Sequence, residues 1–134
     1  MSKSKNKNIS SLDVLIIGAG FSGIYMLKKI REMGLSARVI DAAAGVGGTW
    51  FWNRYPGARV DVESMFYSYS FDKTLEQEWE WTERYPAQPE ILNYINHVAD
   101  RFELRSHIQL STSVTSAIYD ENKATWLVST DGDH

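Results

Sequence analysis

Three glycines, spaced as Gly18-Ala19-Gly20-Phe21-Ser22-Gly23, stand between a short apolar run and a segment of helical periodicity. In a G-x-G-x-x-G placed this way, Gly18 permits a tight turn and Gly20 leaves no Cβ between the backbone and a pyrophosphate. Gly23 lets a helix pack closely on a strand. The helix start adds unpaired N–H groups and a partial positive charge, which together make a cradle for a diphosphate. Asp41 closes the next apolar run, eighteen residues after Gly23. A carboxylate there accepts hydrogen bonds from a ribose diol and repels a 2′-phosphate. The spacing points to a bound dinucleotide, with a bland glycine turn beside a surface aspartate as the alternative. It does not choose between FAD and NAD.

A second concentration of chemistry follows in Gly47-Gly48-Thr49-Trp50-Phe51-Trp52-Asn53-Arg54-Tyr55-Pro56-Gly57-Ala58-Arg59. Glycines let main chain touch a planar ligand, aromatic rings give it an apolar wall, and Asn53, Arg54 and Arg59 can orient its polar edges. The competing reading packs Trp50, Trp52 and Tyr55 into a core, the usual fate of such rings. Other candidates read as structural. His97, His107 and His134 have no second ligand three or four residues away, so no metal site is expected. Ser22, Ser64 and Ser68 lack a local His/Asp constellation, and the stretch Glu76 to Glu83 with Trp79 and Trp81 reads as a solvated element with a buried edge.

The elements that must hold these residues are visible in the patterning. Asp13 to Ile17 is an apolar run expected as a central strand buried on both faces. Ser22 to Met33 has helical spacing through Ile24, Leu27 and Ile30, with Gly34 as its stop, and Ala37 to Asp41 completes a β-α-β unit. Residues Ala42 to Val60 read as mostly irregular, with short pieces between Asp61 and Ser70. A connection of that length is uncommon unless it lines a site. Pro89 should sit in the first turn of a helix over Glu90 to Phe102, with Ile91, Tyr94, Ile95, Val98 and Phe102 on one face. The remainder alternates in strand fashion through Ile108 to Leu110, Val114 to Tyr119 and Thr125 to Val128, with a hairpin turn at Asp120 to Lys123.

Composition narrows the partners. Of 134 residues, 43% are hydrophobic and 23% charged, as in a globular domain, and 14 basic against 17 acidic residues give a net charge of −3. No basic excess draws the chain to nucleic acid or to an anionic membrane. The absence of cysteine removes thiol chemistry and suits the cytoplasm, and Val14 to Ile17 is far shorter than the roughly 20 residues that cross a bilayer. Residues 1–11 carry three lysines without an apolar core behind them and read as a disordered tail rather than a secretory signal. A β-α-β start followed by a hairpin supplies too few strands for a doubly wound sheet, so residues 12–134 are expected to be the first part of a truncated domain.

The motifs G-A-G-F-S-G, V-I-D, G-G-T-W-F-W-N-R-Y-P-G-A-R-V-D-V-E-S, Y-S-Y-S-F and Q-P-E-I-L-N-Y-I together resemble the N-terminal region of the Baeyer–Villiger flavin monooxygenases, over about Leu12 to Trp126. The resemblance implies an α/β, Rossmann-like FAD-binding domain of a two-dinucleotide-binding-domain flavoprotein, incomplete, with a β-hairpin or meander at its C-terminal end. It implies FAD and NADPH as cofactors, and a ketone and O₂ as substrates, converted to an ester or lactone through a C4a-peroxyflavin. The alternatives are an N- or S-oxygenating flavin monooxygenase and a non-catalytic dinucleotide-binding fragment. By resemblance, Gly18, Gly20, Phe21, Ser22 and Gly23 meet the FAD diphosphate and Asp41 the adenosine ribose. Thr49, Trp50 and Trp52 line the flavin, Asp61 and Tyr67 lie near its isoalloxazine and ribityl portions, and Val114 offers backbone to adenine. Arg59, Val60 and Asp61 match a loop that approaches the nicotinamide cofactor. Asp61 is the expected catalytic residue, the carboxylate partner of an arginine that this sequence does not contain; read without the resemblance, it is an N-cap of the following turn.

Overall fold

The structure is a computed structural model that describes residues 10–132. The expected tail over residues 1–11 therefore lies outside the described residues, apart from Ser10 and Ser11. Strand β1 (Val14–Ile17) runs into the glycine corner, helix α1 (Phe21–Glu32) follows, and β2 (Ala37–Ile40) returns parallel to β1 with Val14 beside Ala37 and Ile17 beside Ile40. Gly34 ends α1 at a φ of 77°, with its N–H on the Arg31 carbonyl and the Leu35 N–H on that of Ile30. This pair of bonds satisfies carbonyls that a helix end would leave free.

The connection after β2 holds two short helices, α2 (Thr49–Trp52) and α3 (Lys73–Glu78), before the long helix α4 (Gln88–Arg101) with proline in its first turn. Helix α3 was not expected from periodicity. It is fixed by its cap: the Asp72 carboxylate accepts the Leu75 N–H at 2.8 Å, and Leu75 is buried. Asp72→Ala should cost about 1 kcal/mol, read as a drop of a few degrees in the thermal midpoint with the circular dichroism of the rest unchanged.

Two strand expectations are corrected. Ile108–Gln109 is not part of a C-terminal meander; it is β3, which pairs in parallel with β2, so the sheet order is β1-β2-β3. A two-residue strand carries no periodicity of its own, and its partner is chosen by the Asp41 N–H reaching the Gln109 carbonyl at 2.9 Å. The hairpin is confined to β4 (Val114–Asp120) and β5 (Thr125–Thr130). Strand β1, expected at the centre, stands at an edge of the described sheet, and β2 takes the central place. Nor is β1 covered on both faces. Ile16 packs with Val39 and Ala37 against the core, whereas Ile17 and Arg38 on the other face are exposed. Side chains alternate faces along a strand, so the covered face takes Ile16, Ala37 and Val39, while on the other face of these two strands Ile40 alone is buried.

The core joins Ile24 and Leu27 of α1 and Val39 of β2 to Tyr94, Ile95, Val98 and Ala99 of α4. Each large side chain taken from water there contributes roughly 1.5–3 kcal/mol. Tyr94 is the largest fully buried residue, and its hydroxyl accepts the Tyr69 N–H at 2.9 Å. Burial raises the Tyr94 phenol to about 12 and pushes that of Tyr69 higher still. In the native state both stay protonated above the ordinary phenol pKa of about 10, whereas in the unfolded chain they ionise there. The unfolded state then binds fewer protons, so stability falls as pH rises from about 10 toward 12. Urea midpoints measured across that range should decline, and Tyr94→Phe should lessen the slope; a flat profile contradicts the burial account.

Candidate functional site

The glycine corner is built by contacts between two loops. Gly18 continues the parallel ladder with its N–H on the Ile40 carbonyl at 2.8 Å, then turns at a φ of 104° that side chains with a Cβ avoid. Ala19 is fully buried, with its N–H on the Asp41 carboxylate at 2.5 Å and its carbonyl accepting the Gly47 N–H at 2.9 Å. Gly48 lies so close that a Cβ added to it would stand 2.9 Å from the Gly20 Cα. No side chain caps α1, whose N-cap is Gly20. The N–H groups of its first turn therefore have no intrahelical acceptor and face outward with the positive end of the helix dipole.

That helix end opens into a cleft of about 330 Å³ lined by Ile17, the three glycines of the corner, Phe21 and Ser22, and from the second loop Gly47, Gly48, Thr49, Trp50 and Tyr67. Its aromatic wall is held by buried polar contacts. The Gln88 side-chain amide donates to the Trp50 carbonyl, and the Trp50 indole N–H donates to the Tyr67 hydroxyl at 2.9 Å. Tyr67 meets the Phe21 ring edge-on at 5.0 Å, and the Tyr69 hydroxyl donates to the Phe21 carbonyl at 2.5 Å. The lining contains no charged side chain. Such a cleft can hold an anion through backbone dipoles and stack a flat ring, and it contains no strong acid or base for proton transfer.

The structure brings eight expected residues to this cleft: Gly18, Gly20, Phe21, Ser22, Gly23, Thr49, Trp50 and Tyr67. Asp41 lies beneath it, buried, and holds the corner through Ala19. Trp52 and Tyr55 are more than 60% exposed, so neither serves the core, and Trp52 does not line the cleft. Arg59 is held outside by Glu83 at 2.8 Å and by the Tyr85 carbonyl at 2.7 Å, while Val60 is buried beside Trp50 and Ile91. Asp61 is exposed, and its carboxylate makes no hydrogen bond among the described residues, so it is not an N-cap. Val114 opens β4, two residues past Thr112, whose N–H reaches the Asp41 carbonyl at 3.0 Å. Sequence reasoning missed Gln88, which carried no signal beyond preceding Pro89, and the contact between Gly48 and Gly20, which two glycine pairs on separate loops could have suggested.

A parallel β-α-β unit with an uncapped, glycine-cornered helix start over a cleft is the arrangement of a Rossmann-like fold. Residues 16–77 match the family described as NAD(P)-binding Rossmann-like domain. Within that class the chain is homologous to the N-terminal region of the Baeyer–Villiger monooxygenases. It is 50% identical over 92% of its length to the acetone monooxygenase (methyl acetate-forming) of Gordonia sp. (strain TY-5), and 53% identical over 88% to a phenazine N-monooxygenase of Lysobacter antibioticus. Among solved structures, an oxidised steroid monooxygenase bound to NADP superposes over 91% of this chain and 23% of its own, with a TM-score of 0.90 and 57% identity. The chain spans about a quarter of the length of these curated relatives, 24% and 22% respectively. No helix among the described residues is long and apolar enough to cross a membrane.

Proposed function

We propose that the chain is the first part of the FAD-binding domain of an NADPH- and O₂-dependent monooxygenase that oxidises a small ketone to an ester or lactone. The observation that carries the reading is the uncapped start of α1 over a cleft walled by Trp50 and Tyr67, in a chain half identical to named monooxygenases. The residues present suit FAD: glycine backbone and helix N–H groups for its diphosphate, Asp41 for the adenosine ribose, the Val114 backbone for adenine, and aromatic edges beside its ring system. When bound, the flavin supplies electron transfer from NADPH and the activation of O₂. The chain's own part is to orient the ring through Thr49, Trp50 and Tyr67 and to exclude water from one side of it. The loop Arg59-Val60-Asp61 faces the nicotinamide cofactor, and Asp61, whose carboxylate bonds no other group among the described residues, holds an arginine supplied by the rest of the enzyme. Close likeness to both an acetone and a phenazine N-monooxygenase supports placing substrate choice outside these residues. The lack of cysteine favours the cytoplasm.

The test is a chimera in which residues 12–132 replace the corresponding segment of the Gordonia acetone monooxygenase. It should bind FAD and form methyl acetate from acetone with NADPH. Asp61→Ala in the chimera should keep the yellow flavin spectrum and lose at least ten-fold in product. A colourless chimera would overturn the cofactor assignment, and unchanged turnover in the variant would overturn the role of Asp61. The 134-residue chain by itself should retain FAD weakly or not at all and oxygenate nothing, because the flavin ring has few of its walls here.

A further inference from the structure

We infer that Asp41 is a clasp that sets the phosphate-binding corner before any nucleotide arrives, a positioning role distinct from the ribose contact. The inference rests on the dinucleotide-binding reading, and four contacts made by this one residue carry it. The carboxylate Oδ2 accepts the Ala19 N–H at 2.5 Å and Oδ1 accepts the Ala43 N–H at 2.7 Å. The Asp41 main chain bonds the Gln109 carbonyl at 2.9 Å and the Thr112 N–H at 3.0 Å. Asp41 is 9% exposed and Ala19 not at all. The residue thus ties together the glycine corner, its own following loop and the segment that leads from β3 into β4.

The consequence falls on the peptide between Gly18 and Gly20. Its N–H is held by Asp41, and the Ala19 carbonyl is held by Gly47, so Ala19 is clamped from two directions. Glycines on both sides make this stretch of backbone permissive, and without a clamp it would sample many states. Fixing it in the free protein means the ligand need not order it on binding, which is how preorganisation raises affinity. A carboxylate suits the task because each oxygen accepts an N–H and retains a further lone pair for a ribose hydroxyl. An amide cannot do the same: one of its two ends is a donor and would face an N–H.

Amide hydrogen exchange on the nucleotide-free chain tests this directly. The Ala19 N–H should exchange at least a hundred-fold more slowly than an exposed loop amide. In Asp41→Asn that protection should fall at least ten-fold while Val39 in the core keeps its own. An Ala19 N–H that exchanges freely in the unsubstituted chain overturns the clasp even if the variant fails to fold, and so does unchanged protection in a folded variant. A binding arm separates the clasp from the ribose contact, using ADP and 2′,3′-dideoxy-ADP. The clasp predicts that Asp41→Asn weakens the dideoxy ligand as well as ADP, with any larger loss for ADP measuring the diol contact, whereas a contact to the diol alone leaves the dideoxy ligand unaffected and overturns the proposal. If Ala19 is protected by Asp41 but ADP does not bind the unsubstituted chain at all, the clasp stands and the dinucleotide-binding reading falls.

Discussion

Gly23→Ala should unfold the corner and take much of the chain's stability with it. A Cβ at Gly23 would stand 1.8 Å from the Gly18 carbonyl oxygen and 3.0 Å from its carbon. Neither atom can retreat cheaply. Gly18 is tied to Ile40 on the neighbouring strand and already turns at a φ of 104°. Relief requires α1 to lift from β1, which draws Ile24 and Leu27 out of the core. Overpacking against rigid backbone sits at the upper end of such costs, about 3 kcal/mol or more. For a domain of this size that lowers the thermal midpoint by roughly ten degrees. Gly34→Ala is the control: nothing lies within 4 Å of its added Cβ, and only a φ of 77° opposes it, so about 1 kcal/mol is expected. Equal midpoints for the two variants would contradict the assigned geometry of the third glycine.

Tyr94→Ala should be at least as damaging, by a different route. Its ring touches Phe21 at 6.1 Å, Tyr69 at 6.0 Å, Trp79 at 5.3 Å and Trp81 at 5.0 Å, so its removal leaves a void on the side from which Phe21 supports the cleft. The Tyr69 N–H loses its acceptor at the same time. Truncation of a buried aromatic costs about 3–5 kcal/mol, and a buried donor left unpaired adds to it. That total rivals the whole stability of an ordinary domain. Tyr94→Phe removes the acceptor alone and should cost about 1–3 kcal/mol. Urea denaturation of the two variants separates the parts: a small loss for Tyr94→Ala would mean that the aromatic cluster does not hold the cleft wall.

How much of this was legible depended on whether the signal was local. The unit from Leu12 to Asp41 could be read because apolar runs, helical spacing and glycine stops all fall within one window. Helix α4 declared itself through five apolar residues on one face. Helix α2 is four residues of Thr-Trp-Phe-Trp, too short for any period, and α3 depended on a single capping aspartate. Strand β3 reads as one with the hairpin after it, since two residues cannot show whether they pair in parallel or antiparallel. The continuous apolar run of β1 reads as a central strand, yet Ile17 at its end is 66% exposed.

The site divides along the same line. Glycines and their neighbours reached the cleft because corner geometry is dictated locally. Trp50 proved to be both wall and core, buried at 8% while lining the cleft, so the two readings of it were never exclusive. The residues that fell outside, Trp52, Arg59, Val60, Asp61 and Val114, were named for contacts to a ligand and to distant groups, which local sequence does not encode. Gln88 was invisible for a related reason, since its partner Trp50 lies 38 residues away.

The central claim is that a diphosphate binds at the start of α1. An amide NMR titration of the chain with ADP tests it. The account predicts saturable shifts at Phe21, Ser22, Gly23, Gly47 and Gly48, with affinity on the order of millimolar for a cleft with few polar side chains. Amides of this corner that stay in place while ADP is raised well beyond that range, or shifts confined to other parts of the molecule, would contradict it.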